Sequence, residues 1–563
     1  MLLPVAAVAL LFGMGEAASA HYYLRFPWGQ GKGATVTQAY NGGTHINEDS
    51  YALDLDVEGA GTLGDITAAG YGEVVSRQTG RTCDGINYGN FVTVKIVYPQ
   101  GQVRYALYGH LSSVSVSIGD KILQGQKLGV EGNSGYTWDC GPHLHFRITE
   151  TQGCQTKDNC AVEPEPMSGQ GTADGESAWA VGATPTSDNT AAQEADIAAL
   201  FKYGASGARI HTWMEDGAAF GFYDADGWWR VDSGFNLSNV GDRMVMGDYD
   251  GDGLKDVAVF FDYGGCQATI FVWLARPLNA TQTLRFSYQF NGGAGWWSRG
   301  GYCLGQVAGR MVSGDFTGDG KADIAAFYDY LNGSGRIHVW TSTGSGFTGY
   351  DVNGWWSTTG DIPVSEVADR FVAGDFTGDG KTDVAALYHW ASTGALFRVW
   401  RSTGSSFVDT GNWWSVGSGY DLTKVGDRLV AGNFDGVGKD DVATFFQYPN
   451  AEARIHVWLS SGSSFTGYSP VGWWGYGISG YILDQVDGRM VSADFGSMGG
   501  GADGKADIAT FYDYGSGQAR IHVWRSTGSI FAGYDSDGWW SVGSGYPLSG
   551  VAGRMVAGPF DGR

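Results

Sequence analysis

At 563 residues the chain is too long for one hydrophobic core, so two or more domains are expected. Its 92 glycines and 14% aromatic residues favour turns and packed strands over long helices. A net charge of −24 argues against a nucleic-acid partner, which needs clustered Lys and Arg, and is compatible with solubility, calcium binding or both.

Residues 1–20 read as a secretory signal: Leu2 to Met14 is apolar apart from Pro4 and Gly13, and Ala18-Ser19-Ala20 is a small-residue cleavage site. The basic residues usual before such a stretch are missing, so an inner-membrane anchor is the alternative. No other apolar run is long enough to span a bilayer, and the expected location is secreted, extracellular or periplasmic, with no stable membrane insertion after cleavage. Six cysteines in an exported chain suggest disulfides. Cys266 and Cys303 are expected to pair with each other. Cys83, Cys140, Cys154 and Cys160 allow three connectivities, of which Cys83–Cys140 with Cys154–Cys160 is favoured.

Residues 21–160 are non-repetitive, and "FVTVKIVYP", "VRYALYGHL" and "HLHFRITE" alternate with period two, the pattern of half-buried strands. Residues 161–192 are rich in Pro, Gly, Ser, Thr and acids and read as a linker. From residue 193 to 563 the sequence repeats. Trp-Trp begins at Trp228, Trp296, Trp355, Trp413, Trp473 and Trp539, and strands of the "RIHVW" type end at Trp213, Trp273, Trp340, Trp400, Trp458 and Trp524. Units of this period, built of short β-runs, suggest a six-bladed β-propeller. The chain stops at "RMVAGPFDGR", half of a recurring landmark, and the missing half, "ADIAALFKYG", stands at Ala195 to Gly204. Closure by both termini is therefore expected, which removes free sheet edges. The expected fold class is all-β: an antiparallel β-sheet N-terminal domain plus this propeller.

His143-Leu144-His145 in an alternating strand sends both imidazoles to one face. Zinc accepts His nitrogens and carboxylate oxygens, and a catalytic site keeps one position open for water. "GGTHINEDSYALDLD" offers His45 with Asp49, Asp54 and Asp56, and His110 ends a strand. There is no H-E-x-x-H helix, so proton transfer falls to an imidazole.

"THINEDSYALDLD…ITAAGYGEVV", "YGNFVTV", "YALYGHL", "VSIGDKILQGQKLGVEGNSG" and "GPHLHF" together resemble the lysostaphin/LytM-type and β-lytic peptidoglycan endopeptidases over about residues 22–150. The resemblance implies zinc held by His45, one Asp and His145, with His143 and His110 assisting as base or as stabilisers of the developing oxyanion. Tyr51-Ala52-Leu53-Asp54 matches the version of the family with the Asp on a strand. Asp54 is therefore chosen, and Asp49 and Asp56 are kept in reserve.

In the repeats, Asp248, Asp250, Asp252 and Asp256 have the D-x-D-x-D-G-x-x-D spacing of an oxygen-rich calcium loop. Asp315, Thr317, Asp319 and Asp323 repeat it, as do Asp375, Thr377, Asp379 and Asp383, whereas the remaining copies are degraded. The spacing resembles FG-GAP/VCBS propeller repeats, which implies structural Ca²⁺; a metal-free Asx-rich turn is the alternative. His211, His338, His456 and His522 precede a Trp by two positions. They suit packing between blades or, as in the propeller lectins the repeats resemble, stacking on sugars. Within each Trp-Trp pair one residue is expected to pack and its neighbour to be exposed.

The reading is a secreted zinc metalloendopeptidase of bacterial cell-wall peptidoglycan, acting on peptide stems and cross-bridges. Its calcium-stabilised propeller holds it to wall or cell-surface glycan. The alternatives are an endopeptidase of Gly-rich extracellular proteins, and a lectin or adhesin with an inactive peptidase-like domain.

Overall fold

The computed structural model describes residues 27–28, 34–38, 52–57, 63–70, 72–85, 87–97, 103–122, 126–137, 140–152, 161–162, 195–215, 219–223, 226–276, 286–288, 295–390, 394–475, 477, 480–486, 488–496, 502–534, 536–551 and 553–560. The signal segment, His45, Asp49, the Cys154–Cys160 pair and most of the linker lie outside the described residues.

The regular structure among the described residues is antiparallel strands with short 3-10 turns, so the chain is all-β. The N-terminal half contains β1 (Ala34–Gln38), β2 (Leu53–Val57), β3 (Asp65–Thr67), β4 (Gly72–Gln78), β5 (Phe91–Val97), β6 (Val103–Gly109), β7 (Ser113–Val114), β8 (Lys121–Ile122), β9 (Lys127–Val130), β10 (Leu144–Thr149) and β11 (Ala161–Val162). An eight-stranded sheet runs β1-β2-β10-β6-β5-β4-β8 with β11 on β10, and β3-β9-β7 form a second, three-stranded sheet. The period-two pattern decides which side is core. Val92, Val94, Ile96, Leu144, Phe146 and Ile148 are fully buried, leaving His145 and Arg147 to the other face of β10. Cys83 is bonded to Cys140, and Cys266 to Cys303.

Among the described residues, the repeats form six further sheets. The third shows the plan: Met311–Gly314, Asp323–Asp329, Gly335–Trp340 and Trp356–Thr358 pair in that order. The first sheet is completed from far along the chain, because Met555–Gly558 pairs with Asp196–Tyr203, Ala199 lying opposite Met555 and Asp196 opposite Gly558. Backbone N–H groups join each sheet to its neighbour: Ala322 to Asp248 O, Thr382 to Asp315 O, Asp440 to Asp375 O, Ala506 to Asn433 O, Ala195 to Asp494 O, and Lys255 to Pro559 O, all within 2.7–3.0 Å.

Both tryptophans of each pair pack across these seams, which departs from the expected division of roles. The first lies on a phenylalanine of the next sheet, as in Trp296–Phe347, Trp413–Phe465 and Trp539–Phe220. The second meets the buried strand tryptophan of the next sheet edge-on, as in Trp297–Trp340, Trp356–Trp400 and Trp540–Trp213. Alternation does send the two side chains different ways, but each way leads to an apolar neighbour, and such pairs contribute about 0.5–1.5 kcal/mol beyond burial.

The His-x-Trp histidines belong to the same seams. His211, His338, His456 and His522 are 0–1% exposed. The Tyr302, Tyr420 and Tyr481 hydroxyls, reaching over from the preceding sheet, lie 3.0–3.2 Å from Nδ1 of His338, His456 and His522, and Tyr330, Tyr448 and Tyr514 lie 3.2–3.3 Å from Nε2. These histidines are therefore packing residues.

Burial, followed by a neighbouring arginine, pushes the pKa of His338 down to about 4 and those of His456 and His522 to about 3. Their unfolded counterparts take up protons near pH 6.5, so this contribution to stability is complete above that pH and is lost as pH falls through 6.5 toward 3. Five buried aspartates described below act in the opposite direction, so the histidine effect is read as a difference. The stability gap between the wild type and a His338→Gln/His456→Gln/His522→Gln variant should narrow from pH 7 to pH 5 in denaturant titrations. A gap independent of pH would refute the assignment. Separately, deleting residues 551–563 should expose the edge of Asp196–Tyr203 and give lower thermal stability and oligomers by size-exclusion chromatography.

Candidate active site

The sheet register builds the site. In the β2–β10 pair, Leu55 faces Leu144, Asp54 faces His145 and Leu53 faces Phe146. Opposed residues share a face, so burial of the leucines and Phe146 beneath the sheet sends Asp54 and His145 together to the other side. His145 Nδ1 lies 2.9 Å from Asp54 Oδ1, and His143 Nε2 lies 3.8 Å from the same oxygen. At 2.9 Å, a nitrogen and a carboxylate oxygen need a proton or a cation between them. Asp56, two residues along β2, pairs with Thr35 of β1 instead.

His110 is the first residue beyond β6 and has a φ of 62°, a left-handed turn that lifts its ring over the sheet. Its ring centroid lies 4.8 Å from that of His143 and 5.8 Å from that of His145. The ring's Nδ1 is 2.8 Å from the Ser134 carbonyl, which can only accept, so Nδ1 carries the proton and Nε2 keeps its lone pair. His143 Nδ1 likewise carries a proton toward Gly141 O, at 3.1 Å. Burial, then the neighbouring His145 and His143, pushes the His110 pKa down to about 3, so its ring is neutral at physiological pH.

Two loops carry this arrangement. A Cβ on Gly89 would lie 2.2 Å from the Ser134 carbonyl carbon, and one on Gly135 would lie 2.3 Å from the Gly89 nitrogen; both residues have positive φ. The "YGN" and "GNSG" motifs therefore mark a contact that only glycine permits. The Cys83–Cys140 bond joins the same two loops. Tyr88 was not singled out in the sequence, yet its ring packs against His145 at 5.1 Å and carries the Arg147 guanidinium at 4.9 Å on its face. The available signal was parity: Arg147 follows His143 and His145 at alternate positions of one strand.

Among the described residues, only the first acidic loop gathers three acids at metal-binding spacing, without Asp252, and chain groups are bound to all three loops. Asp248, Asp250 and Asp256 bring carboxylate oxygens within 4.8 Å of one another. Asp248 also accepts from the backbone N–H of Gly251, Asp252 and Gly253, and Arg276 lies 3.1 Å from Asp250. Asp315 and Asp375 accept in the same way, with Lys321 beside Asp319 and Lys381 beside Asp379. The Thr317 and Thr377 N–H groups donate to Asp323 and Asp383. Asp256, Asp323, Asp383, Asp441 and Asp507 are buried, and burial raises their pKa values to between about 6 and about 8. Each accepts at least one N–H from its loop (Asp441 accepts two) and another from the residue 19 positions on, as in Ser342 N to Asp323.

Comparison with known proteins fits this geometry. Residues 50–158 match Peptidase family M23, and residues 315–386 match the FG-GAP-like repeat. One segment of the chain thus matches the M23 peptidases and a later one the FG-GAP-like repeat, and neither match spans half of the chain. It is 37% identical over 82 residues to glycyl-glycine endopeptidase ALE-1 of Staphylococcus capitis, covering 14% of this chain and 21% of that protein. It is 37% identical over 60 residues to peptidoglycan DD-endopeptidase ShyA of Vibrio cholerae, covering 11% and 13%. These matches span about a fifth or less of the relatives' length. Among solved structures, the catalytic domain of the prophage-encoded M23 protein EnpA from Enterococcus faecalis is 26% identical, with 25% of this chain and 95% of that one covered and a TM-score of 0.19. No helix among the described residues is long and apolar enough to cross a membrane.

The loop contact is directly testable. Gly89→Ala should destabilise the peptidase half by about 2 kcal/mol or more, because a strained φ and a backbone clash coincide. Differential scanning calorimetry of the full chain should show one transition lowered and the remainder unchanged.

Proposed function

We propose that this chain is a secreted zinc metalloendopeptidase that hydrolyses peptide bonds of bacterial peptidoglycan. The observation that carries the reading is the convergence of Asp54 and His145 across one strand pair, with His143 and His110 beside them. The donor set suits zinc: imidazole nitrogen and carboxylate oxygen meet on one face, with more imidazoles at hand. His45, Asp54 and His145 would hold the ion. When bound, zinc polarises the scissile carbonyl and lowers the pKa of its water to about 7. His110 presents an unprotonated Nε2 and His143 turns its Nε2 toward Asp54, so either imidazole would be placed to relay a proton to the departing amine. The relatives named as a glycyl-glycine endopeptidase and a peptidoglycan DD-endopeptidase favour wall peptides as substrate.

The proposed organisation is a signal peptide over 1–20, the peptidase over 21–160, a linker over 161–192 and a six-bladed propeller over 193–563. The pairing of Met555–Gly558 with Asp196–Tyr203 and the cyclic order of the six backbone links between sheets support closure by both termini. The disulfides favour export to an oxidising compartment. The propeller would hold the enzyme to wall or surface glycan, raising the effective substrate concentration. Calcium would bind the loops at Asp248, Asp315 and Asp375. The competing reading is a metal-free loop, favoured by the backbone N–H groups and the Arg276, Lys321 and Lys381 side chains bound to these acids.

Purified peptidoglycan incubated with the protein should yield new amino termini. Cleavage of Gly-rich proteins alone, or binding without cleavage, would select one of the alternatives. Asp54→Ala should purify zinc-poor while Asp56→Ala keeps the metal, as measured by metal stoichiometry. His143→Ala should keep zinc and lose turnover by about 10²–10⁴-fold. Millimolar Ca²⁺ should raise the melting temperature of the repeats, and an unchanged value would favour the metal-free loops.

A further inference from the structure

We infer that the turn Tyr88–Gly89–Asn90 positions the imidazoles of the active site, with Tyr88 acting through His145 and Asn90 acting through His110. The inference rests on the peptidase reading of that site.

Asn90 is 5% exposed, and its side chain is fully committed. Its Oδ1 accepts from Arg81 N at 2.8 Å, and its Nδ2 donates to Leu111 O at 2.9 Å and to Arg81 O at 3.2 Å. Its backbone N–H donates to Ser134 Oγ at 2.8 Å, and that hydroxyl donates onward to Leu111 O at 2.8 Å. Leu111 follows His110 directly, and the Ser134 carbonyl binds the His110 ring. The Asn90 side chain therefore fixes the main chain beside His110, and its backbone N–H holds the hydroxyl of Ser134, the residue whose carbonyl sets the His110 tautomer. Only an amide meets this demand, since the site offers one donor and two acceptors; a carboxylate of the same shape would face two carbonyl oxygens.

Tyr88 works from the other side. Its carbonyl accepts from His110 N at 2.8 Å, which helps hold the left-handed turn. Its ring lies on His145 and is backed by Arg147. Gly109 faces His145 in the sheet, and a Cβ there would sit 3.3 Å from Tyr88 Cβ, so the absence of a side chain leaves Tyr88 its place. The contact with His145 is made by the ring, which phenylalanine also supplies. Displacements of about 1 Å at a reacting group can cost about 10²-fold in rate, so a rigid turn touching two imidazoles bears on turnover more than on binding.

The test uses the full-length protein with ¹⁵N-labelled histidine. The wild-type imidazole spectrum should show His110 with its proton on Nδ1, and a proton on Nε2 would overturn the inference at once. Asn90→Asp and Tyr88→Ala should keep stoichiometric zinc, and Asn90→Asp should lose the single His110 tautomer. On a soluble wall peptide, kcat should fall about 10–100-fold in both, with KM changed by less than about threefold. Tyr88→Phe should restore nearly full kcat. Wild-type turnover in Asn90→Asp and Tyr88→Ala, or loss of zinc from either, would overturn the inference. If Asn90→Asp does not fold, Tyr88→Ala against Tyr88→Phe decides the question. A wild type that cleaves neither wall nor peptide defeats the peptidase reading, whereas the tautomer measurement still judges the role of Asn90.

Discussion

Everything in the peptidase half depends on the register between β2 and β10. A slip of one residue would turn Asp54 to the core and bring Leu55 or Leu53 up beside His145. What prevents this is not polar: Leu53 and Leu55 are fully buried under the sheet beside Leu144 and Phe146, and turning them over would expose two large apolar side chains. At roughly 1.5–3 kcal/mol each, that penalty exceeds the worth of any single hydrogen bond between Asp54 and His145. The chemistry is thus held in place by the core on the opposite side of the strands.

The repeats use a related device with different residues. A buried aspartate in each unit accepts one N–H from its own loop and another from the end of the third strand, so an otherwise costly carboxylate becomes a brace. A serine next to that brace reaches out of the unit: Ser342, Ser402, Ser460 and Ser526 each donate to a carbonyl of the preceding sheet. The tryptophans act across the same seams. Polar braces set the geometry of each unit, and aromatic contacts join the units.

Much of this was legible in the sequence because period-two alternation reports which face of a strand is buried. The His143/His145 face and the strands of the repeats follow from that period, whereas Asp54 was chosen from the resemblance of "YALD" to one version of the family. The half-landmark at Ala195 to Gly204 announced its pairing with the last strand, since repeats reveal what is missing at their ends. The Cys83–Cys140 and Cys266–Cys303 bonds also agree with expectation. What stayed hidden was set by non-local contacts. Nothing in "YGN" shows that the Asn90 side chain meets Leu111 and Arg81, because those partners are backbone atoms that any residue could offer. The tryptophan pairs misled for a similar reason: alternation gives two directions but does not say that both lead to a neighbouring sheet.

The sheet that draws strands from both ends of the repeats also governs the order in which the molecule can assemble. Asp196 and Gly558 are paired, yet nearly the whole repeat region separates them along the chain. A ribosome emits the peptidase half first, and its strands need no partner from the repeats to complete the eight-stranded sheet. The middle repeats can then form their sheets one by one as they emerge. The first repeat must wait, with Gly207–Glu215 and Asp196–Tyr203 joined but one edge open, until the last strand leaves the translation machinery. Such late, long-range closure is the slow kind of folding step and leaves an unpaired strand exposed for the longest time. The nascent chain is therefore most in need of a chaperone at the start of the repeats, during synthesis of their end.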